Sequence, residues 1–290
     1  MQSGGARTGR QPWQISRGYA WLLALPALFL VIFFLWPLAR VIVRGFTDPT
    51  IGFQNYSQIL TSRVHSTVLW NTISTAGIVT LLCLLIAYPV SYAMAQARGI
   101  KLQIIALFVI VPLWTSVVIR SYAWMVVFQR RGVLNDALVS MGITSEPVRF
   151  LPGLFAVNIG MVHIMLPFMI LPLVANMRAI DRSLLRAAEV MGADPIQSFL
   201  RVFLPLSLPG ISAGCAVVFM MSLGFYVTPA LLGGPQNMMA AVLIEQQANQ
   251  LLNWGLASAL ATILLIATVL IYLVYARITG GAAPAPTTVR

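Results

Sequence analysis

The sequence predicts an all-α integral membrane protein with six transmembrane helices, and three observations carry that prediction. Of its 290 residues, 59% are hydrophobic and only 9% are charged. Soluble domains carry about a quarter charged residues, so this chain has too few to cover a water-facing surface. Its apolar runs reach the ~20 residues that a helix needs to cross the hydrocarbon. None alternates polar and apolar residues over ~10 positions, as an outer-membrane strand does.

In chain order, residues 1–18 form a cytoplasmic tail, and the first span covers 19–43. That run is too long for a cleaved signal peptide, and no small-residue cleavage site follows Trp36-Pro37. It reads as a retained helix, with Pro26 and Pro37 as candidate breaks. Further spans cover 70–96, 102–128 and 151–177. A charged loop (178–206) precedes the last two, 206–232 and 255–277. The tail at 278–290 is cytoplasmic, and both ends of the chain have flexible, Gly-, Ala- and Ser/Thr-containing composition.

The orientation follows from Lys and Arg. One side holds Arg7, Arg10, Arg17, Arg98, Lys101, Arg178, Arg182, Arg186, Arg201, Arg277 and Arg290. The other holds Arg40, Arg44, Arg63, Arg130, Arg131 and Arg149, with Arg120 inside the third run. The richer side is expected to be cytoplasmic, which puts both termini and the 178–206 loop inside. The net charge of +11 is then mainly a topology signal. No aromatic–basic nucleic-acid motif accompanies it, so no nucleic-acid partner is expected.

Several chemistries are missing. Lys101 is the single lysine and stands in "ARGIKLQ", which is no phosphate-cradling loop, so ATP hydrolysis by that route is excluded for this chain. There is no Gly-x-Ser-x-Gly, His-Glu-x-x-His or Cys-x-x-Cys. Cys83 and Cys215 lie in apolar runs and suggest neither a disulfide framework nor a metal site. His163 reads as an inward-facing polar residue, and no metal is expected.

The charged loop carries its own signals. Leu184, Ala187, Ala188 and Met191 fall at helical spacing and give one weakly apolar face. Gly192 ends that helix, Asp194 is a natural N-cap, and Pro195 is a natural first residue of the next. Ile196, Phe199, Leu200 and Phe203 repeat the spacing, and Pro205 and Pro209 close the segment before the fifth span. Periodicity alone leaves two readings open, an ordinary interfacial helix pair and a docking element for a partner groove.

The set Ala187-Ala188, Gly192-Ala193, Phe199, Val202, Leu204-Pro205 and Pro209-Gly210-Ile211 resembles the EAA loop of ABC importer permeases. "NTISTAGIVTLLCLLIAYPVSYAMA", "VPLWTSVVIRSYAWMVVF", "GVLNDALVSMGI" and "TPALLGGPQNMM" resemble the first permease of spermidine/putrescine-type systems, over roughly residues 20–277. The resemblance implies a type I importer permease whose cytoplasmic coupling helix docks into an ATP-binding subunit. The implied partners are two ABC ATPase subunits, a second permease subunit and a periplasmic or lipid-anchored substrate-binding protein. ATP and magnesium would bind on the ATPase, leaving no cofactor on this chain. Arg186 stands where the family has Glu; Glu189 is placed to pair with it locally.

For a polyamine cargo the route wants carboxylates and aromatic faces. Outer-side carboxylates are Asp48, Asp136, Glu146 and Glu245; the aromatic candidates are Trp114, Tyr122, Trp124, Phe225 and Tyr226. Bundle packing or an interfacial belt is the alternative role for each ring. Arg120 would repel a cation, and is expected to snorkel or pair with a carboxylate. Other cargoes stay open: an aminophosphonate, an amino-acid-like amine or thiamine. So does an ATP-independent secondary transporter or channel, for which an ATPase-docking loop has no use.

Overall fold

The computed structural model describes residues 17–279, and the predicted tails otherwise lie outside the described residues. Among the described residues every element is helical. The first run is an unbroken helix, α1 (Arg17–Leu30), a π-turn (Val31–Leu35) and α2 (Trp36–Thr47). Pro37 removes an N–H and crowds the carbonyl four residues earlier, at Phe33. The π-turn widens the helix at that point, with Trp36 N–H bonded to Val31 O, so neither proline breaks the span.

A short helix, α3 (Gln54–Thr61), leads into α4 (Arg63–Gln96), the longest described element at 34 residues. The third apolar run departs from its expected single span. It splits into α5 (Gly99–Trp114) and α6 (Val117–Phe128), which continues towards α7 (Val133–Ser140), with a bend of 101° at the break. Thr115 and Ser116 adopt extended backbone. Thr115 also turns its hydroxyl onto Pro112 O at 2.8 Å, so the carbonyl that would continue the ladder is occupied.

The central helix is α8 (Leu154–Ala179), whose most apolar stretch is 56% buried. The two helices of the 178–206 loop follow, α9 (Arg182–Val190) and α10 (Pro195–Ser198). The fifth span starts earlier than expected. A π-turn (Phe199–Phe203) joins α10 to α11 (Leu204–Leu223), so Pro205 lies within a continuous helix and does not close a segment. The helix also ends at Leu223, leaving α12 (Val227–Leu232) as a separate short element. Then come α13 (Ala240–Glu245), a third π-turn (Gln246–Gln250) and the last span, α14 (Trp254–Thr279).

The core is built where α4, α8 and α11 pack together. Val79, Cys83 and Ala87 of α4 meet Met161, Met165, Met169 and Leu173 of α8 and Val218 of α11, all fully buried or nearly so. Small residues let the backbones close up, as membrane interfaces require. A Cβ on Gly214 would lie 2.6 Å from Met169 Sδ. A second cluster, including Ile59, Leu243 and Leu260, joins α3, α13 and α14, while α2 lies along α14. Within Ala24–Thr47 the most apolar window buries nothing.

Candidate functional site

The 178–206 loop is stiff because its local chemistry closes every turn. Asp181 caps α9 by accepting from Ser183 N at 2.8 Å. Hydrogen bonds from Ser183 hold its carboxyl below the usual carboxylate range, with the Arg186 charge adding to the effect. Arg186 acts on Asp181; the expected Arg186–Glu189 ion pair is not formed. At the other end, Gly192 N donates to Glu189 O and Ala193 N to Ala188 O, the double bond pattern of a Schellman turn. Gly192 carries φ +91°, which only glycine adopts without strain. Asp194 then caps α10, accepting from Gln197 N at 2.7 Å, with Pro195 as the first residue.

The two apolar faces predicted for this loop split. Ala188 turns inward, and Phe199 and Phe203 pack edge-on against Tyr92 of α4 at 5.6 and 5.1 Å. Leu184, Val190, Met191, Ile196 and Leu200 point away from the bundle, Val190 and Met191 being more than 80% exposed. Two arginines that the sequence offered only as topology markers anchor the base. Arg178 donates to Met94 O at 3.0 Å and Arg182 to Ala95 O at 2.9 Å, satisfying carbonyls at the C-terminal end of α4. Tyr88 Oη and Ser207 Oγ lie 3.0 Å apart and tie α4 to α11.

A second polar group lies in the bundle, where α6, α8 and α12 meet. Trp124 Nε1 donates to His163 Nδ1 at 3.1 Å, which fixes the neutral tautomer with its proton on Nε2. Trp124 also stacks on Phe128 at 5.1 Å. One face over, Ser121 and Thr228 hydroxyls meet at 2.8 Å, and a Cβ on Gly160 would strike Thr228 at 2.7 Å. Arg120 sits on the same helix and is 8% exposed. Its Nε and Nη1 have no hydrogen-bond partner, so it neither snorkels nor pairs with a carboxylate as expected.

The remaining candidates disperse. Trp114 and Tyr122 lie 87% and 52% exposed on the outer surface of the α5–α6 elbow. Phe225 packs against the core, and Tyr226 is on the surface beside it. Glu245 ends α13 and accepts from Gln250 Nε2 at 3.4 Å. Asp48 is paired with Arg44 at 3.1 Å, while Asp136 and Glu146 are exposed.

A multi-span helical bundle with a rigid helix–turn–helix at one end and buried polar groups beside a broken span is the anatomy of a membrane transport permease. A family model described as the binding-protein-dependent transport system inner membrane component matches residues 6–281, and the chain belongs to that family. The spermidine/putrescine transport system permease protein PotB of Haemophilus influenzae is 37% identical over 227 residues, 78% of this chain and 79% of that protein. Its Escherichia coli counterpart is 33% identical over 233 residues, 80% of this chain and 84% of that one. A chain of the bacterial alginate ABC transporter, solved with an alginate pentasaccharide-bound periplasmic protein, superposes with TM-score 0.75 at 19% identity, covering 90% of this chain and 94% of that one. That likeness establishes a shared fold.

Proposed function

We propose that this chain is a permease subunit of an ATP-driven, binding-protein-dependent importer of polyamines such as spermidine and putrescine, working with a second permease and two ATPase subunits. The observation that carries the reading is the 178–206 loop. Its turn is locked by the Gly192 Schellman pattern, its base is bonded to α4 by Arg178 and Arg182, and its outward side chains are apolar. A rigid lever with an apolar tip suits docking into a groove of a motor subunit. The polyamine assignment draws on the relatives' names. ATP binding on the partner draws the two loops together and opens the bundle outward, and hydrolysis resets it. Arg120 gives a cation no attraction, so we place it beside the route and not on the cargo. With the loop on the cytoplasmic side, both termini are cytoplasmic too.

The test is a mild-detergent purification through a tag on this chain, expressed with its partner subunits, comparing the unmodified protein with Gly192→Val. Nothing lies within 4 Å of the Gly192 Cβ position, so the substitution acts through its φ alone, at about 1–2 kcal/mol of local strain. The expected result is an ATPase and a second permease recovered with the unmodified chain, and loss of the ATPase alone from the variant. A chain that purifies by itself and still moves solute would overturn the proposal.

A further inference from the structure

Where the first span ends and the last begins, α2 and α14 border a pocket of about 650 Å³. Arg40, Arg44, Asp48 and Ser258 supply its polar wall, and Val41, Val43 and Trp254 its apolar one. Arg40 and Arg44 stand one helical turn apart on the same face of α2. Arg44 is committed: its Nε donates to Asp48 Oδ2 at 3.1 Å, and its guanidinium lies 4.9 Å from the centroid of the Trp254 ring. Arg40 has no hydrogen bond or ion pair among the described residues. Nor does the Ser258 hydroxyl make a hydrogen bond among them, although that residue is only 6% exposed.

Close backbone approach fixes the two walls. A Cβ on Gly45 would lie 3.1 Å from Ala259 N, and one on Gly255 would collide with Asp48 O, so α2 and α14 touch main chain to main chain beside Ser258. Asn55, 7% exposed, pins the end of α2 by donating through Nδ2 to Gly45 O at 2.9 Å and Asp48 O at 2.8 Å. Arg40, Arg44 and Asp48 together leave the pocket with one uncompensated positive charge. Its free donors are a guanidinium fork and a hydroxyl. Two oxygens of a singly charged phosphodiester match that fork and that charge.

We infer that this pocket seats the phosphodiester of a membrane phospholipid, which staples the first span to the last through Arg40 and Ser258. Its place in the fold favours a lipid over a soluble anion. Both helices pass from here into the membrane core, since the first span ends at Thr47 and the last begins at Trp254. From Arg40 to Thr47 the helix rises about 10 Å, at ~1.5 Å per residue, a depth from which an arginine side chain reaches up to headgroups. Trp254 stands at the end of its span, as interfacial tryptophans do. Beyond Arg40, towards the membrane centre, Trp36 and Leu35 are exposed and continue the apolar wall as a bed for an acyl chain. The pocket is also larger than a lone phosphate fills, with room for the glycerol and the first chain carbons.

The experiment takes the full chain, purified in mild detergent with the subunits that accompany it and stripped of lipid, and counts bound lipid by native mass spectrometry during titration. The probes are phosphatidylglycerol, a diacylglycerol with the same chains, and inorganic phosphate. The variants are Arg40→Gln with Ser258→Ala, and, as a control for general surface charge, Arg63→Gln with Arg131→Gln, whose side chains are exposed and lie outside this pocket. Neither substitution in the first pair removes an internal hydrogen bond of a side chain, so that variant is expected to keep the circular dichroism of the unmodified protein. The expected result is saturable binding of phosphatidylglycerol that weakens about tenfold or more in the first variant only, with diacylglycerol and inorganic phosphate both held more weakly. Equal binding of phosphatidylglycerol by the unmodified protein and the first variant overturns the inference, and equal losses in both variants overturn it in favour of a diffuse field. Diacylglycerol bound as tightly as phosphatidylglycerol overturns it by showing that chains alone are held. Inorganic phosphate bound as tightly overturns it by assigning the pocket to a soluble anion. Loss of a co-purified permease from the first variant overturns it by assigning this face to a subunit contact.

Discussion

Trp124 and His163 show how little of a buried polar contact is visible before folding. They are 39 residues apart, on different helices, and neither neighbourhood hints at the other. Residue type alone suggested an inward-facing histidine, and that was legible because an imidazole in an apolar run has nowhere else to go. Its donor was not. Replacing Trp124 with Phe preserves a ring to stack on Phe128 but leaves His163 Nδ1 unpaired. The expected cost is about 1 kcal/mol of unfolding free energy in the purified protein, the usual scale for one such bond within a membrane bundle. His163→Phe added to that variant should cost little more, and full additivity of the two would argue against the bond. Arg120 was recognisable as anomalous for the same compositional reason. That no carboxylate of the described chain reaches it depends on three helices meeting, which no local pattern encodes.

Element ends were the most readable part of the chain, since caps and turns are short-range chemistry. Gly192, Asp194 and Pro195 occupy the roles their order implies. The loop's anchorage was not readable, because it needs the end of α4 to lie beside the start of α9. Arg178 and Arg182 bridge 84 and 87 residues to do this. If those bonds transmit force from the loop, Arg178→Gln with Arg182→Gln should leave ATP hydrolysis running while uptake falls at least about tenfold, given the ~1.5–3 kcal/mol scale of charged hydrogen bonds. Proportional loss of both rates in proteoliposomes would mean the arginines serve only stability. The 101° elbow after Trp114 escaped notice for a different reason. Hydropathy counts oil and is blind to direction, and only the Pro112-Thr115-Ser116 sequence distinguishes a straight run from a folded one.

For the molecule as a whole, much of the apolar surface is uncovered within one chain. Phe33, Phe34 and Trp36 of the first span are each more than 60% exposed, and Ile119, Tyr122 and Val126 form an exposed stripe along α6. Lipid solvates such surfaces, but the second permease proposed above would cover part of them permanently. Co-expression with that partner is therefore expected to convert a polydisperse, protease-sensitive detergent preparation into a monodisperse, resistant one. The readouts are gel filtration and limited proteolysis; identical behaviour with and without the partner would show that the single chain is self-sufficient.

The π-turns before Pro37 and Pro205 stand at the same offset from their prolines, and they change how the helix keeps angular count. Each residue of an α-helix advances the side-chain direction by ~100°, so a periodic pattern read through a widened turn loses its phase. What leaves the turn at Leu204 points differently from what a uniform spiral starting at Pro195 would give. The tip of the loop and the core-facing stripe of the fifth span are thus clocked separately, by a single extra residue in the winding. One continuous helix can then present the exposed side chains of the loop and its bundle-facing surface at bearings that an unbroken α-helix could not combine.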